Sequence, residues 1–425
     1  MSPHGLRNLP ALALAALALA LPAGQAHAQQ KTLTIATHYT DDQMKPLTAC
    51  FRRYEEANPG IKIVHQQATF RDFLQTILTS RISGRSPDIY NTYSIWSTQL
   101  IGNGVLDTPP AEVVDFIKRE YEPSTVQAAT LNGKIWGVPS EVSAYMLVYN
   151  KELLRAAGYD APPKTWDELT EMAAKITKTD AQGKITVAGY AFGPTPANAV
   201  HPFRTLLYSS GQGLFTEDLQ STTLTSPKAV EILQKQADMF ARKITAPSVQ
   251  VRDFPSGNVA MMITANWFKD TLRQGMGDAF DRNVGVAPIP GGPDWRTYQY
   301  SFYYGVDARS RQKEDAWRLV RWLNTPQEPG KRSCVGDMLI AMGGLTANKA
   351  DIAASQAEVT DAFTKPYVDA ITSGRALSEK NVPQAAEMEV IIRAAIEEAW
   401  LGRTPAKDAL ASANKQIEGI LREAQ

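Results

Sequence analysis

A two-lobed α/β fold is what this sequence predicts, on three observations. Strand-like and helix-like stretches alternate, with short connections, from Leu33 to Tyr90. The same alternation returns in the second half. The length, 425 residues, exceeds what one ordinary domain holds once a leader is set aside. That leader is Arg7, the apolar run Ala11 to Leu21, and Ala26-His27-Ala28, which together read as a secretory signal peptide over residues 1–28. The run is too short for a membrane span. No cysteine stands directly after the cleavage point, so a free periplasmic protein rather than a lipid-anchored one is expected.

In order along the chain, Leu33 to Ala36 reads as the first strand, followed by polar His38-Tyr39-Thr40-Asp41-Asp42. A helix carrying Leu47, Phe51 and Tyr54 ends at Asn58-Pro59-Gly60, and Ile61 to Val64 is the second strand. Phe73, Ile77 and Leu78 form the next helical face, and Ser86-Pro87-Asp88 leads into a third strand at Ile89-Tyr90. Asn132-Gly133 supplies a turn before the buried strand at Tyr145 to Tyr149. Gly158 sits at a helix C-cap position, and Thr165-Trp166-Asp167-Glu168 reads as a capping box.

Farther on, Val187 to Phe192 and Val259 to Ile263 are strand candidates. Ser226-Pro227 starts a helix with the stripe Val230, Leu233, Ala237 and Phe240. Val284 to Pro288 runs into the Gly291-Gly292 turn, and Asp315 to Leu323 is helical. A long helix carries Met388, Ile391, Ala395 and Ala399, and Thr404-Pro405 opens the last one.

Composition narrows the function classes. Lys and Arg total 44 and Asp and Glu 44, with no basic stripe, so nucleic acid is a poor partner. There is no G-x-S-x-G, H-E-x-x-H, C-x-x-C or Walker loop, and Gly102-x-Gly104 and Gly211-x-Gly213 lack a third glycine. Beyond the leader, His38, His65 and His201 lack metal-ligand spacing, so neither metal nor other cofactor is expected. Asp41-Asp42 and Glu55-Glu56 keep a glycoside-hydrolysing carboxylate pair open; a helix-start cluster and a solvated face are the plainer readings. Cys50 and Cys334 could pair in an oxidising compartment. Their distance in sequence, and the hindrance a bridge between lobes would impose, favour two buried thiols.

Four segments carry a resemblance. They are Gly133 to Leu169, "GNVAMMITANW" (Gly257 to Trp267), "VGVAPIPGG" (Val284 to Gly292) and "KEDAWRLVRWLNTPQ" (Lys313 to Gln327). In this order they resemble the extracellular solute-binding proteins of ABC importers, within the carbohydrate-binding family that includes the maltose-binding protein. The resemblance implies two lobes, each a mainly parallel sheet flanked by helices, joined by crossed hinge segments. It places residues 29–140 and 284–326 in the N-terminal lobe and 141–283 and 327–425 in the C-terminal lobe. It implies no enzymatic turnover, a monomer, and an inner-membrane permease as partner. The ligand it implies is a sugar in the cleft between the lobes; the same fold binding glycerol phosphate, a polyol or a polyamine is the alternative.

A sugar needs flat aromatic surfaces for its ring faces and carboxylate, amide or guanidinium partners for its hydroxyls. Such residues gather where strands end, which is where open α/β sheets bind ligands. His38, Tyr39 and Asp41 follow the first strand, although Asp41 or Asp42 can also cap the next helix. Tyr90 and Trp96 flank the third strand's exit, Trp96 being equally a core candidate. Glu141 lies at the first crossing, to hold a hydroxyl or bridge the lobes, with Tyr145 after it. Arg204 faces a ligand or forms a surface ion pair. Asn266 and Trp267 match the family's second-lobe platform, Trp267 being otherwise buried between helix and sheet. Tyr303-Tyr304-Gly305 departs from the family's glycine-pair-plus-aromatic pattern but keeps aromatics at the cleft.

Overall fold

A computed structural model describes residues 30–423, so the expected leader lies outside the described residues. The principal elements begin with β1 (Lys31–Thr37), α1 (Asp41–Ala57), β2 (Ile61–Gln67), α2 (Phe70–Ile82) and β3 (Ile89–Tyr93). Next come β4 (Val138–Asn150), α3 (Trp166–Ile176), α4 (Pro196–Ser209), α5 (Pro227–Ala241), β5 (Met261–Ala265), β6 (Val284–Ala287) and β7 (Thr297–Val306). The chain ends through α6 (Lys313–Leu323), α7 (Cys334–Ala341), β8 (Leu345–Thr346), α8 (Lys365–Thr372), β9 (Ala376–Ser378), α9 (Ala385–Trp400) and α10 (Ala406–Glu423).

Local chemistry starts the helices where the sequence asks for it. Thr165 and Glu168 form the expected capping box on α3, and Ser226 accepts the Ala229 amide at the start of α5. On α1 the cap is Thr40, boxed with Gln43, rather than Asp41 or Asp42. Its extended backbone lets Oγ1 reach the third helical amide, while both aspartates sit inside the first turn.

The sheet is mixed. β2, β1 and β3 run parallel, and β7 returns antiparallel along β3, pairing Phe302 with Tyr93 and Val306 with Ile89. β4 is thirteen residues long because two halves of the molecule share it. Its first part pairs with β7, and its second part pairs antiparallel with β5 and β6. β7 is shared in the same way, since its first residues pair with β9. Gly137 lets β7 pass, because a Cβ there would stand 2.6 Å from the Tyr304 carbonyl oxygen.

Cys50 and Cys334 form a disulfide, correcting the expectation of two thiols, with Cα atoms 6.2 Å apart. The expectation assumed that they lie in different lobes. Instead α7 packs on α1, and Cys334, Val335, Met338 and Leu339 share one core with Leu33, Ile35 and Leu47. Cys334 to Leu339 and Ala347 therefore pack with the first half, while Leu345 between them packs in the core of the second. Val359, Phe363 and Tyr367 already pack with Val142, Met146 and Met262 of the second half. The bridge joins two helices of one half rather than spanning the two.

Candidate functional site

The carboxyl ends of β1, β2 and β3 deliver a cluster of rings. His38 stacks on Phe302 at 4.6 Å and meets the edge of Phe70 at 5.5 Å. Phe70 stacks on Trp96 at 5.3 Å, Tyr93 stacks on Phe302 at 5.0 Å, and Trp96 stands edge-on to Tyr93. Trp96 is 5% exposed, but Phe70, resting on it, is 45% exposed. Burying so large an apolar face against a ligand is favourable, whereas leaving it in water is not. Burial lowers the His38 ring to about 3, against a hydrogen bond with Asn91 that raises it, so the ring is a neutral stacking surface.

The crossing strands bring polar groups to these rings. Tyr39 donates its hydroxyl to Glu141 Oε2 at 2.8 Å, and Ser143 donates to Oε1 at 3.1 Å. Burial pushes the Glu141 carboxyl up, outweighing the two hydrogen bonds that favour its charge. Asn266 Oδ1 accepts the Ala144 amide at 3.0 Å, which locks the loop after β5 to β4. Its Nδ2, Gln299 Oε1, Ser301 Oγ and the Tyr304 hydroxyl are buried without a hydrogen-bond partner among the described residues. Such groups cost free energy unless something bonds to them.

From the second half, Tyr145 and His201 Nδ1 are hydrogen-bonded at 2.8 Å, and His201 Nε2 is 2.9 Å from Glu389. With Nε2–H donating to the carboxylate, Nδ1 accepts from the tyrosine. Arg204 lies 3.3 Å from Glu389, 3.5 Å from Glu379, and 4.7 Å over the Tyr298 ring. At 3% exposed it is no surface ion pair. Burial alone would raise the Glu389 carboxyl, but His201 and Arg204 overcome it and hold it low; burial dominates at Glu379 and raises it. The space between Ser94-Ile95 on one side and Arg204, Tyr298 and Glu379 on the other is about 20 Å³. That is room for about one water.

His38, Tyr39, Glu141, Tyr145, Arg204 and Asn266 are thus brought into one region by the crossing of β4 and β7. Trp267 is half-buried beside them, edge-on to Phe268 and packed against both large cores. Tyr304 approaches Glu141 closely enough to feel its charge. Three residues go elsewhere. Tyr90 donates to Asp307, which forms a buried ion pair with Arg81 at 2.9 Å. Tyr303 bonds Ser97 inside the first half, and the Asp41 carboxylate is exposed, 3.8 Å from His65.

Sequence reasoning missed Phe70, Tyr298, Tyr300, Phe302, Glu379 and Glu389. The signal for three of them was legible as the period-two aromatics Tyr298, Tyr300 and Phe302, which put one face of β7 into the site. Glu379 and Glu389 have no such local signature. Among the described residues there is no cluster of three or more metal-ligating side chains.

Comparison with known proteins follows this geometry. The family model for bacterial extracellular solute-binding proteins matches residues 39–328. A binding protein of Brucella abortus (strain 2308) is 25% identical over 434 residues, covering 98% of this chain and all of the relative. The maltotriose-binding protein of Pyrococcus abyssi is 23% identical over 308 residues, 68% of this chain and 61% of its own length. An ABC transporter solute-binding protein from Thermotoga lettingae, solved with α-D-tagatose, superposes with a TM-score of 0.79. It is 22% identical, with 92% of this chain and 100% of that one covered. The likeness in shape establishes the two-lobed fold.

Proposed function

The chain belongs to the bacterial extracellular solute-binding proteins, and from that premise we propose that it is the receptor of an ABC importer for a mono- or oligosaccharide. It captures the sugar between its lobes in the periplasm and delivers it to an inner-membrane permease. One observation carries the carbohydrate reading. Exposed and half-buried rings (Phe70, Trp267) lie beside buried hydroxyl and amide groups that lack partners (Gln299, Ser301, Tyr304, Asn266). Ring faces and hydroxyl groups of a sugar answer both needs at once. The relatives described as binding maltotriose and tagatose support the same ligand class.

The charge pattern argues against an anionic ligand such as glycerol phosphate, because Arg204 is already matched by Glu379 and Glu389. A hydrolase finds little support in the expected carboxylate pairs: Asp41 is exposed, and Glu55 is engaged by Lys62 and the Ile63 amide. Ligand binding stabilises the closed arrangement because only there does the sugar touch both lobes. A micromolar complex, about −8 kcal/mol, suits such a receptor.

Thermal-shift screening of mature protein against sugars, polyols and phosphoesters tests the proposal. A cognate sugar at a hundred times its dissociation constant adds about 2.7 kcal/mol. Stabilisation by phosphoesters alone, or multiple turnover of a glycoside, refutes it.

A further inference from the structure

A groove of about 610 Å³ lies in the second half, where the end of α5, the turn after it and the α9–α10 junction meet. It shares no residue with the site above, and its size is that of small-molecule sites. Phe240 and Trp400 stack along it, with centroids 5.3 Å apart and planes 21° from parallel. Thr404, Pro405 and Ala406 bring the N-terminus of the eighteen-residue α10 to the groove; the Asp408 amide bonds the Pro405 carbonyl and its carboxylate lies in the same first turn, which leaves the Ala406 and Lys407 amides without intrahelical acceptors. Two exposed lysines at its rim, Lys184 and Lys243, form no ion pair among the described residues. The acidic residue there, Asp238, accepts from Gln234 at 2.8 Å.

One further feature points to a ligand. Thr245 is 1% exposed and lines the groove, yet its hydroxyl has no partner among the described residues. Lys243 has φ +57°, the left-handed conformation that favours glycine after a helix end.

We propose that this groove is a second ligand site, for a small amphiphilic anion. Its carboxylate or phosphate group sits between Lys243, Lys184 and the start of α10, bonding the Thr245 hydroxyl. Its apolar body covers the half-buried Phe240 ring, which stacks on the buried Trp400.

Calorimetric titration of the mature protein with phenyl phosphate tests the site, with inorganic phosphate and phenol as its two halves. Phenyl phosphate binds more tightly than either half, and the affinity falls with added salt. Lys243→Gly weakens binding several-fold while raising the melting temperature, a combination that a merely structural lysine does not produce. Thr245→Val, of the same shape, also weakens it, and Trp267→Ala leaves it unchanged. Absence of saturable binding at millimolar probe overturns the proposal. So does equal binding of phenol, unchanged affinity in both groove variants, or loss of affinity in Trp267→Ala.

Discussion

The Tyr39 hydroxyl donates to Glu141 at 2.8 Å and so ties the loop after β1 to the crossing strand β4. Glu141 titrates above its ordinary value near 4.5 because it is buried. A carboxyl raised in the native state contributes stability that is present below its unfolded value and lost as pH rises through the native one. Glu141→Gln removes that loss, so it gains stability relative to wild type as pH rises above the unfolded value near 4.5. Tyr39→Phe costs about 1–3 kcal/mol and raises the Glu141 carboxyl further. Urea melts at several pH values measure both.

His38 gives the opposite sign. Its ring is lowered to about 3, so its stability is present above the unfolded value near 6.5 and lost on acidification. The slope approaches 1.4 kcal/mol per pH unit below that value. Nuclear magnetic resonance should find the His38 ring neutral at pH 5, and His38→Phe should flatten the acid limb of the stability curve.

Phe70 and Trp96 separate ligand contact from core. Phe70→Ala should weaken sugar binding by about 1–2 kcal/mol with a small change in urea midpoint, because much of its ring is already in water. Trp96→Ala should cost about 3–5 kcal/mol of stability.

Trp267→Ala should weaken sugar binding by at least ~2 kcal/mol while the protein stays folded. Calorimetry paired with urea melts reads both quantities. Unchanged affinity with a sharply lower midpoint would show that the ring serves the core alone.

Replacing Arg204 by Met leaves Glu379 and Glu389 buried without their cation and should cost about 3–5 kcal/mol. The double variant Cys50→Ala/Cys334→Ala should lose on the order of 5 kcal/mol, given the long loop its bridge closes. Its sugar affinity should hold, because the bridge stays within one half.

The sequence by itself determined the local chemistry: the box at Thr165 and Glu168, the cap at Ser226, the strand alternation, and an aromatic after β5 at Trp267. These depend on neighbours three or four residues away, or on a period of two, and neighbours in sequence are always neighbours in space. Only the tertiary structure paired Cys50 with Cys334, sent Tyr90 to Asp307 and away from the site, and set Glu379 and Glu389 around Arg204. Those contacts join residues 175 to 284 positions apart. No local pattern encodes them, because they arise where β7 runs back along β3, where α4 packs against α9, and where α7 folds back onto α1. Burial then fixed the charges: the same carboxyl group is held low at Glu389 and raised at Glu379 by what the fold packs beside it.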